Sequence, residues 1–166
     1  MNAARRFEAL IVEHGAMVAR ICASYERDPE LARELGQDVF LAVWRALPSF
    51  RGESSTRTFV ARIAQFRAVS HVAARVRVPA GTSLDDAAVI APGPLPDAQA
   101  IAANQRERLL EAVRRLPIAY RDAVILTLED FTPAEIADVL GVRANVVSIR
   151  LTRARTLLRA WLREAS

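Results

Sequence analysis

The sequence predicts an all-α fold, two small helical domains joined by a flexible linker, the second ending in a helix-turn-helix. Three observations predict it. Apolar residues recur at helical spacing through two long stretches, residues 3–77 and about 99–164. Residues 79–98 between them hold Pro79, Pro92, Pro94 and Pro96, four of the chain's eight prolines, with Gly81, Gly93, Asp85, Asp86 and Asp97 and no amphipathic period. Thr132–Arg155 reads as helix, tight turn, helix. The expected boundaries are therefore a first domain 1–78, a linker 79–98 and a second domain 99–166.

In the first domain, residues 3–27 form one pattern, with Phe7, Leu10, Ile11, Val18, Ile21 and Cys22 on a shared face. Asp28 can cap the next helix, with Pro29 at its first position. That helix runs to about Leu47 on Leu31, Leu35, Val39, Phe40, Val43 and Trp44, and Pro48 ends it. Ser49–Thr56 is a polar, turn-rich loop with Phe50 inside it. A third helix, about Arg57–Arg77, takes its apolar contacts from Phe59, Val60, Ile63, Val69 and Val72. In the second domain a helix carrying Ile101, Leu109, Leu110, Val113 and Leu116 stops before Pro117. Tyr120–Leu128 is strongly apolar, and Glu129-Asp130-Phe131 connects it to the helix-turn-helix.

The helix-turn-helix has a mechanism at each end. Thr132 and Glu135 make a capping box with Pro133 at the first helical position. Ile136, Ala137 and Leu140 form the apolar face, and Gly141 stands where a left-handed residue ends the helix. Val147, Leu151, Ala154 and Leu158 stripe one side of the second helix. Asn145, Ser148, Thr152, Arg155 and Arg159 occupy the other. Such a helix fits a DNA major groove, its arginines reaching phosphates and base edges. An ordinary helical pair with a solvated basic face is the competing reading.

Charge is distributed in blocks. Formal net charge is only +4, the pI is about 10.4, and all 23 Lys+Arg residues are arginine. Arg143, Arg150, Arg153, Arg155, Arg159 and Arg163 face a single acid, Glu164, at the C-terminal end. Arg51, Arg57, Arg62, Arg67, Arg75 and Arg77 face only Glu53. Between Asp28 and Asp38 the balance reverses: Asp28, Glu30, Glu34 and Asp38 against Arg33. One surface thus suits nucleic acid and another suits a basic or polar protein partner. A 52% hydrophobic content supports a core. The single Cys22 excludes an internal disulfide and is expected to be a buried thiol. The start MNAARRFEAL has no signal-peptide core, and no run of about 18 apolar residues spans a membrane. A cytoplasmic setting is expected. No nucleophile–base motif, phosphate loop or metal-ligand spacing is present, His14 and His71 being isolated, so neither enzyme activity nor a cofactor is expected.

Two stretches in one order carry a family resemblance. ELARELGQDVFLAVWRALPSFRGESSTRTFVARIA resembles region 2 of the sigma-70 family, and LPIAYRDAVILTLEDFTPAEIADVLGV with the later RLTRAR resembles region 4. With no region 1.1 or region 3, the chain resembles an extracytoplasmic-function (group 4) sigma factor over nearly its whole length apart from the linker. The resemblance implies an initiation factor that binds core RNA polymerase, at the β′ clamp helices and β flap. Glu34, Gln37, Asp38, Leu41 and Trp44 would dock on the clamp helices. Phe50, Arg51, Gly52, Glu53, Ser54 and Ser55 would capture an extruded base of the −10 element, and Arg57, Arg62, Gln65 and Arg67 would grip the melted strand. Arg143, Asn145, Ser148, Ile149, Thr152 and Arg153 would read the −35 duplex. Promoter DNA and an anti-sigma factor are the implied partners. Plain readings stand beside these: Leu41 and Trp44 as core, residues 50–55 as an interhelical loop.

Departures from the family pattern concern promoter sequence and melting. Phe66 stands where asparagine is frequent, Ser70 where aspartate is, Asn145-Val146-Val147 where Gly-Thr-Val is, and Ile149-Arg150 where Ser-Arg is usual. Phe66 is expected to fill core, stacking on an unpaired base being its alternative. Two other functions stay open: a sigma-like decoy that sequesters an anti-sigma factor, and a free-standing helix-turn-helix regulator.

Overall fold

A computed structural model describes residues 2–77 and 98–165. The linker expected over 79–98 lies, but for its last residue, outside the described residues. The rest is helical throughout, in two lobes. The first comprises α1 (Ala3–Tyr25), α2 (Pro29–Ala46), a 3-10 turn (Leu47–Ser49) and α3 (Thr56–Arg77). The second comprises α4 (Ala98–Arg115), α5 (Ile118–Leu128), α6 (Pro133–Leu140) and α7 (Ala144–Glu164). The all-α, two-lobe expectation holds. No helix among the described residues is long and apolar enough to cross a membrane.

The sequence encodes most helix ends locally. The Asn2 side chain accepts from the Ala4 N–H at 3.1 Å to open α1. Asp28 accepts from Glu30 and Leu31 N–H groups at 2.9 and 3.4 Å, with Pro29 behind it. Ser55 Oγ accepts the Thr58 N–H at 3.0 Å at the head of α3. At α6 the capping box is complete: Thr132 Oγ1 accepts the Glu135 N–H at 3.3 Å, and Glu135 accepts the Thr132 N–H at 2.7 Å. Gly141 closes α6 at φ 66°, where a side chain would be strained.

In the first lobe Val18, Ile21, Cys22, Val39, Val43 and Val60 are fully buried. The innermost line of α3 is Ala61, Ala64 and Ala68, small residues that let α1 and α2 approach closely, whereas its larger Phe59, Ile63, Val69 and Val72 flank that line half-buried. The second lobe centres on Val113, Leu116, Leu126, Ile136, Val147 and Ala154. Burial pushes the Cys22 thiol up to about 12.

Three expectations need correction. Phe66 is not core: it is 70% exposed, because it sits on the stripe of α3 shared by Arg62 and Ser70, opposite the alanine line. Ile11 faces outward beside an α1–α2 groove rather than into the core. The two histidines are not isolated. His14 is buried with its Nε2 3.1 Å from Thr56 Oγ1, and burial, only partly opposed by Glu13, lowers its pKa. His71 Nε2 lies 2.7 Å from Glu26, whose buried carboxylate also accepts from Arg75 and from the Asp28 N–H at 3.0 Å. Burial alone would raise the Glu26 pKa, but the hydrogen bonds from His71, Asp28 and Arg75 together bring it below the ordinary value. This carboxylate ties the end of α1 to the start of α2 and the last turns of α3. Among the described residues no three His, Cys, Asp or Glu side chains converge to hold a metal.

Beside apolar residues that join both lobes in one core cluster, a seam of hydrogen bonds and ion pairs crosses between them. Arg20 on α1 donates through Nε and Nη2 to both carboxylate oxygens of Glu129 at 2.7 and 2.8 Å. The Tyr25 hydroxyl donates to the Asp122 carboxylate, and Arg114 donates twice to the Ala23 carbonyl, at 3.1 and 2.8 Å. Arg27 pairs with Glu111 at 2.5 Å.

Candidate nucleic-acid interface

Three surfaces hold the residues singled out by sequence. On α7, Asn145, Ser148, Ile149, Thr152 and Arg153 are all exposed on one face, and Val147, Leu151 and Ala154 are buried on the opposite one. Arg143 precedes the helix as its N-cap residue and is exposed too. Ser148 and Thr152 hydroxyls donate to the carbonyls one turn back, at 3.3 and 2.9 Å, which leaves their oxygens turned to solvent as acceptors. α6 packs across α7 through the Gly141 turn, so the whole face projects from a braced scaffold.

On α2, Glu34, Gln37, Asp38, Leu41 and Trp44 form a single exposed stripe. Leu41 and Trp44 are 47% and 42% exposed, so the core reading of these two is wrong: the inward positions of α2 belong to Leu35, Val39 and Val43. Trp44 is steadied by an edge contact to Phe7, ring centroids 5.1 Å apart. The stripe thus mixes acids with two large apolar groups, the composition of a protein-docking face.

The third surface is the loop 50–55 and the start of α3. Phe50 is half-buried and stacked on Phe59 at 4.4 Å, so it braces the loop from below. Arg51, Gly52 and Glu53 are exposed, Ser54 is half-exposed, and Gly52 takes φ 77° at the tip. Ser55 is committed to capping α3. Beyond the loop the predicted strand-gripping residues divide. Arg67 is exposed. Arg62 is exposed but donates to the Asp138 carbonyl at 3.0 Å. Arg57 donates to the Glu129 carbonyl and lies 3.9 Å over the Phe131 ring. Gln65 is only 4% exposed, donates to the Asp122 carbonyl at 3.4 Å, and leaves its Oε1 buried without a hydrogen-bond partner. Three of these four side chains are thus engaged by the second lobe.

The seam residues Arg20, Tyr25, Asp122 and Glu129 were missed by sequence reasoning. Glu129 reads as connector and Asp122 as a polar position in an apolar helix; only their partners, about a hundred residues distant, give them meaning. Burial raises the Asp122 pKa against the opposing Tyr25 hydrogen bond and the nearby Arg150 and Arg121 charges.

With this geometry in hand, comparison with known proteins is direct. The family described as sigma-70 region 2 matches residues 10–78, and sigma-70 region 4 matches residues 106–158. Among curated relatives, RNA polymerase sigma factor NccH of Alcaligenes xylosoxydans xylosoxydans is 27% identical over 168 residues, covering 96% of this chain and 88% of that one. The sigma-H factor of Pseudomonas aeruginosa is 26% identical, covering 97% and 90%. The ECF sigma-E factor of Escherichia coli K12 is 27% identical, covering 91% and 83%. Among solved structures, CnrH in complex with the cytosolic domain of CnrY superimposes with a TM-score of 0.74 at 24% identity, covering 98% of this chain and 91% of that one. The sigma factor RpoE with the anti-sigma factor NepR from Bartonella quintana gives 0.74 at 21% identity, covering 96% and 98%.

Proposed function

The chain belongs to the sigma-70 family, as an extracytoplasmic-function sigma factor, and from that premise we propose that it joins core RNA polymerase and directs promoter-specific initiation, reading the −35 element with its second domain and the −10 element with its first. It is a transcription factor and not an enzyme; the chemistry belongs to the polymerase it recruits. The domains are residues 1–78 and 99–166, with 79–98 as the tether between two DNA sites.

The observation that carries the reading is the outer face of α7. Six side chains that the family uses at the −35 duplex, Arg143, Asn145, Ser148, Ile149, Thr152 and Arg153, are all exposed on one side of a helix braced by a capped partner helix. Arginines there contact phosphates or guanine edges, Asn145 supplies a base-edge acceptor or donor, and Ser148 and Thr152 supply acceptors. Ile149, exposed and apolar, suits a thymine methyl group. The α2 stripe Glu34, Gln37, Asp38, Leu41 and Trp44 docks on the β′ clamp helices, and the second domain on the β flap. Arg51, Gly52, Glu53 and Ser54, on a base made by Phe50 and Ser55, hold the extruded −10 base, and Arg57, Arg62, Gln65 and Arg67 hold the strand backbone. Phe66, exposed one turn from Arg62, stacks on an unpaired base of that strand. Both superimposed structures pair a sigma factor with a second protein, one of them named an anti-sigma factor, and this supports an inhibitory protein partner for this chain as well. The chain acts in the cytoplasm, where the polymerase is.

Run-off transcription on genomic DNA with core polymerase tests the reading as a whole. Discrete new transcripts sharing spaced upstream elements are expected. Binding to neither core nor promoter would leave a decoy, and duplex binding without core would leave a free-standing regulator. At the recognition helix, Arg153→Ala should weaken −35 binding and lower the salt slope by about one unit if the side chain neutralises a phosphate. An unchanged slope with unchanged affinity removes it from the interface. On a promoter so identified, Phe66→Ala should slow open-complex formation and Phe66→Tyr should not.

A further inference from the structure

We propose that His14 is a positioning residue for base capture: from α1, its hydrogen bond to Thr56 sets where the loop that holds the extruded −10 base ends and where α3 begins. The proposal rests on the assignment of residues 50–55 to that base. It adds a residue outside the loop on which the grip of the loop depends.

The first argument is how the loop is held. Its exposed tip, Arg51 to Glu53, turns at Gly52 with φ 77°, so the placement of the tip follows from its two ends. At the first end the Phe50 N–H donates to the Leu47 carbonyl at 3.2 Å, and the Phe50 ring stacks on Phe59. At the second end Ser55 Oγ accepts the Thr58 N–H at 3.0 Å and lies 3.0 Å from Thr58 Oγ1. Thr58 and Phe59 belong to α3, so these side-chain contacts tie the loop to the helix that follows it. His14 does something different. Its Nε2 lies 3.1 Å from Thr56 Oγ1, across 42 positions of chain. That bond ties the joint between loop and helix to α1, and so to the body of the first lobe. Thr56 stands between Ser55, the last residue of the loop, and Arg57, the first residue assigned to the strand. One bond thus places both, and a site of this kind loses much of its effect when its groups shift by about 1 Å.

The second argument is what the imidazole costs. His14 is 5% exposed, on the inward face of α1 with Leu10, Met17 and Val18. A leucine would be buried there without polar cost, whereas an imidazole needs a partner. Thr56 is that partner. Burial lowers the His14 pKa; Glu13, 3.7 Å from Nε2, opposes this, and Arg57 on α3 adds to it. The ring is therefore neutral, with one donor nitrogen, and the neighbouring carboxylate favours the proton on Nε2. The bond then runs from the Nε2–H to the Thr56 oxygen. A glutamine amide can reproduce that donation, and a leucine cannot.

The third argument is that His14 has no other route to the DNA. It is buried, so whatever it contributes to capture passes through Thr56, and the two sides of the bond can be tested separately.

The experiment uses holoenzyme, the full chain with core polymerase, on a promoter found by run-off transcription. The probe is a fluorescein-labelled fragment of that promoter whose −10 segment is an unpaired bubble, so that capture is read without melting. In a second set of probes each non-template nucleotide of the bubble in turn is abasic. The abasic position that weakens native binding most marks the captured base, and a loss on the order of tenfold is expected there. His14→Leu and Thr56→Val should each weaken binding to the intact bubble to a similar degree. Both should change binding to that abasic bubble by less than about twofold, since the grip is already lost. His14→Gln should bind the intact bubble as the native chain does. Circular dichroism and the affinity for core check that each variant is folded. Equal weakening on intact and abasic bubbles would make His14 a general support of the fold and overturns the proposal. Native binding by either His14→Leu or Thr56→Val overturns it too, as does a His14→Gln protein as weak as His14→Leu. The parent reading fails in a different way, visible in the native chain alone. If no promoter is found, or no abasic position weakens native binding, base capture by the loop is discarded and the proposal goes with it.

Discussion

Glu26 and His14 set opposite charge states into the first lobe, and each makes its own acid limb. The Glu26 pKa is depressed, so its stabilisation is present above the ordinary glutamate value of 4.5 and is lost as pH falls through its lower folded value. His14 is buried neutral with its pKa below the ordinary 6.5. The unfolded chain takes up that proton first, so stability begins to fall as pH drops below about 6.5. Urea midpoints measured from pH 8 to 3 should show both limbs, and His14→Gln should flatten the upper one while leaving the lower. Glu26→Gln should cost about 1–3 kcal/mol at neutral pH, because Arg75 and a buried hydrogen-bond cluster lose their anion. A midpoint independent of pH between 7 and 5 would contradict the His14 assignment. Neither role was legible in sequence. A histidine about three turns into an amphipathic helix gives no sign of Thr56, 42 residues on, and Glu26 gives none of His71.

At the scale of single elements the sequence is far more explicit, because its signals are local. Asp28-Pro29, Thr132-Pro133 with Glu135, and Gly141 each act within four residues, and each folds as its chemistry requires. Gly141→Ala should destabilise the second lobe by roughly 1–2 kcal/mol through its left-handed backbone, although open space surrounds the added methyl. Thr132→Ala should cost about 1 kcal/mol through the lost cap. Thermal melts of the two variants check both, and a neutral Gly141→Ala would mean the turn relaxes at no cost. Where periodicity misled, size was the reason. α3 carries enough large apolar residues to fill an interior, yet its innermost line is alanine, and Phe66 is turned out. Helical spacing alone does not say which of two adjacent stripes faces inward. Trp44 and Leu41 repeat the lesson on α2, where the valine line wins the core.

At the scale of the whole molecule, the two domains were legible as separate units, and their contact was not. The pairs Arg20–Glu129, Tyr25–Asp122 and Arg57–Glu129 join residues 72 to 109 positions apart. No periodicity reports such pairs, so the exposed faces of α2, α3 and α7 were legible singly but not in relation to each other. Each lobe carries one tryptophan, Trp44 and Trp161, which makes the coupling measurable. In Trp44→Phe and Trp161→Phe proteins, urea unfolding followed by the remaining indole should give coincident midpoints at low salt. The two should separate at about 1 M salt, as the Debye length shrinks to about 3 Å and the seam ion pairs lose their strength. Midpoints that coincide at every salt concentration would mean an apolar contact, not a polar one, holds the lobes together.

Cys22 offers a clock. It is the sole thiol of the chain, has no exposed surface and is poorly ionised at neutral pH. A thiol reagent in excess can reach it only during an excursion that parts α1 from α2 and α3. The rate of modification then counts those excursions without any introduced label, and comparing that rate with the second lobe closed or parted tells how long the first lobe would keep its shape on its own.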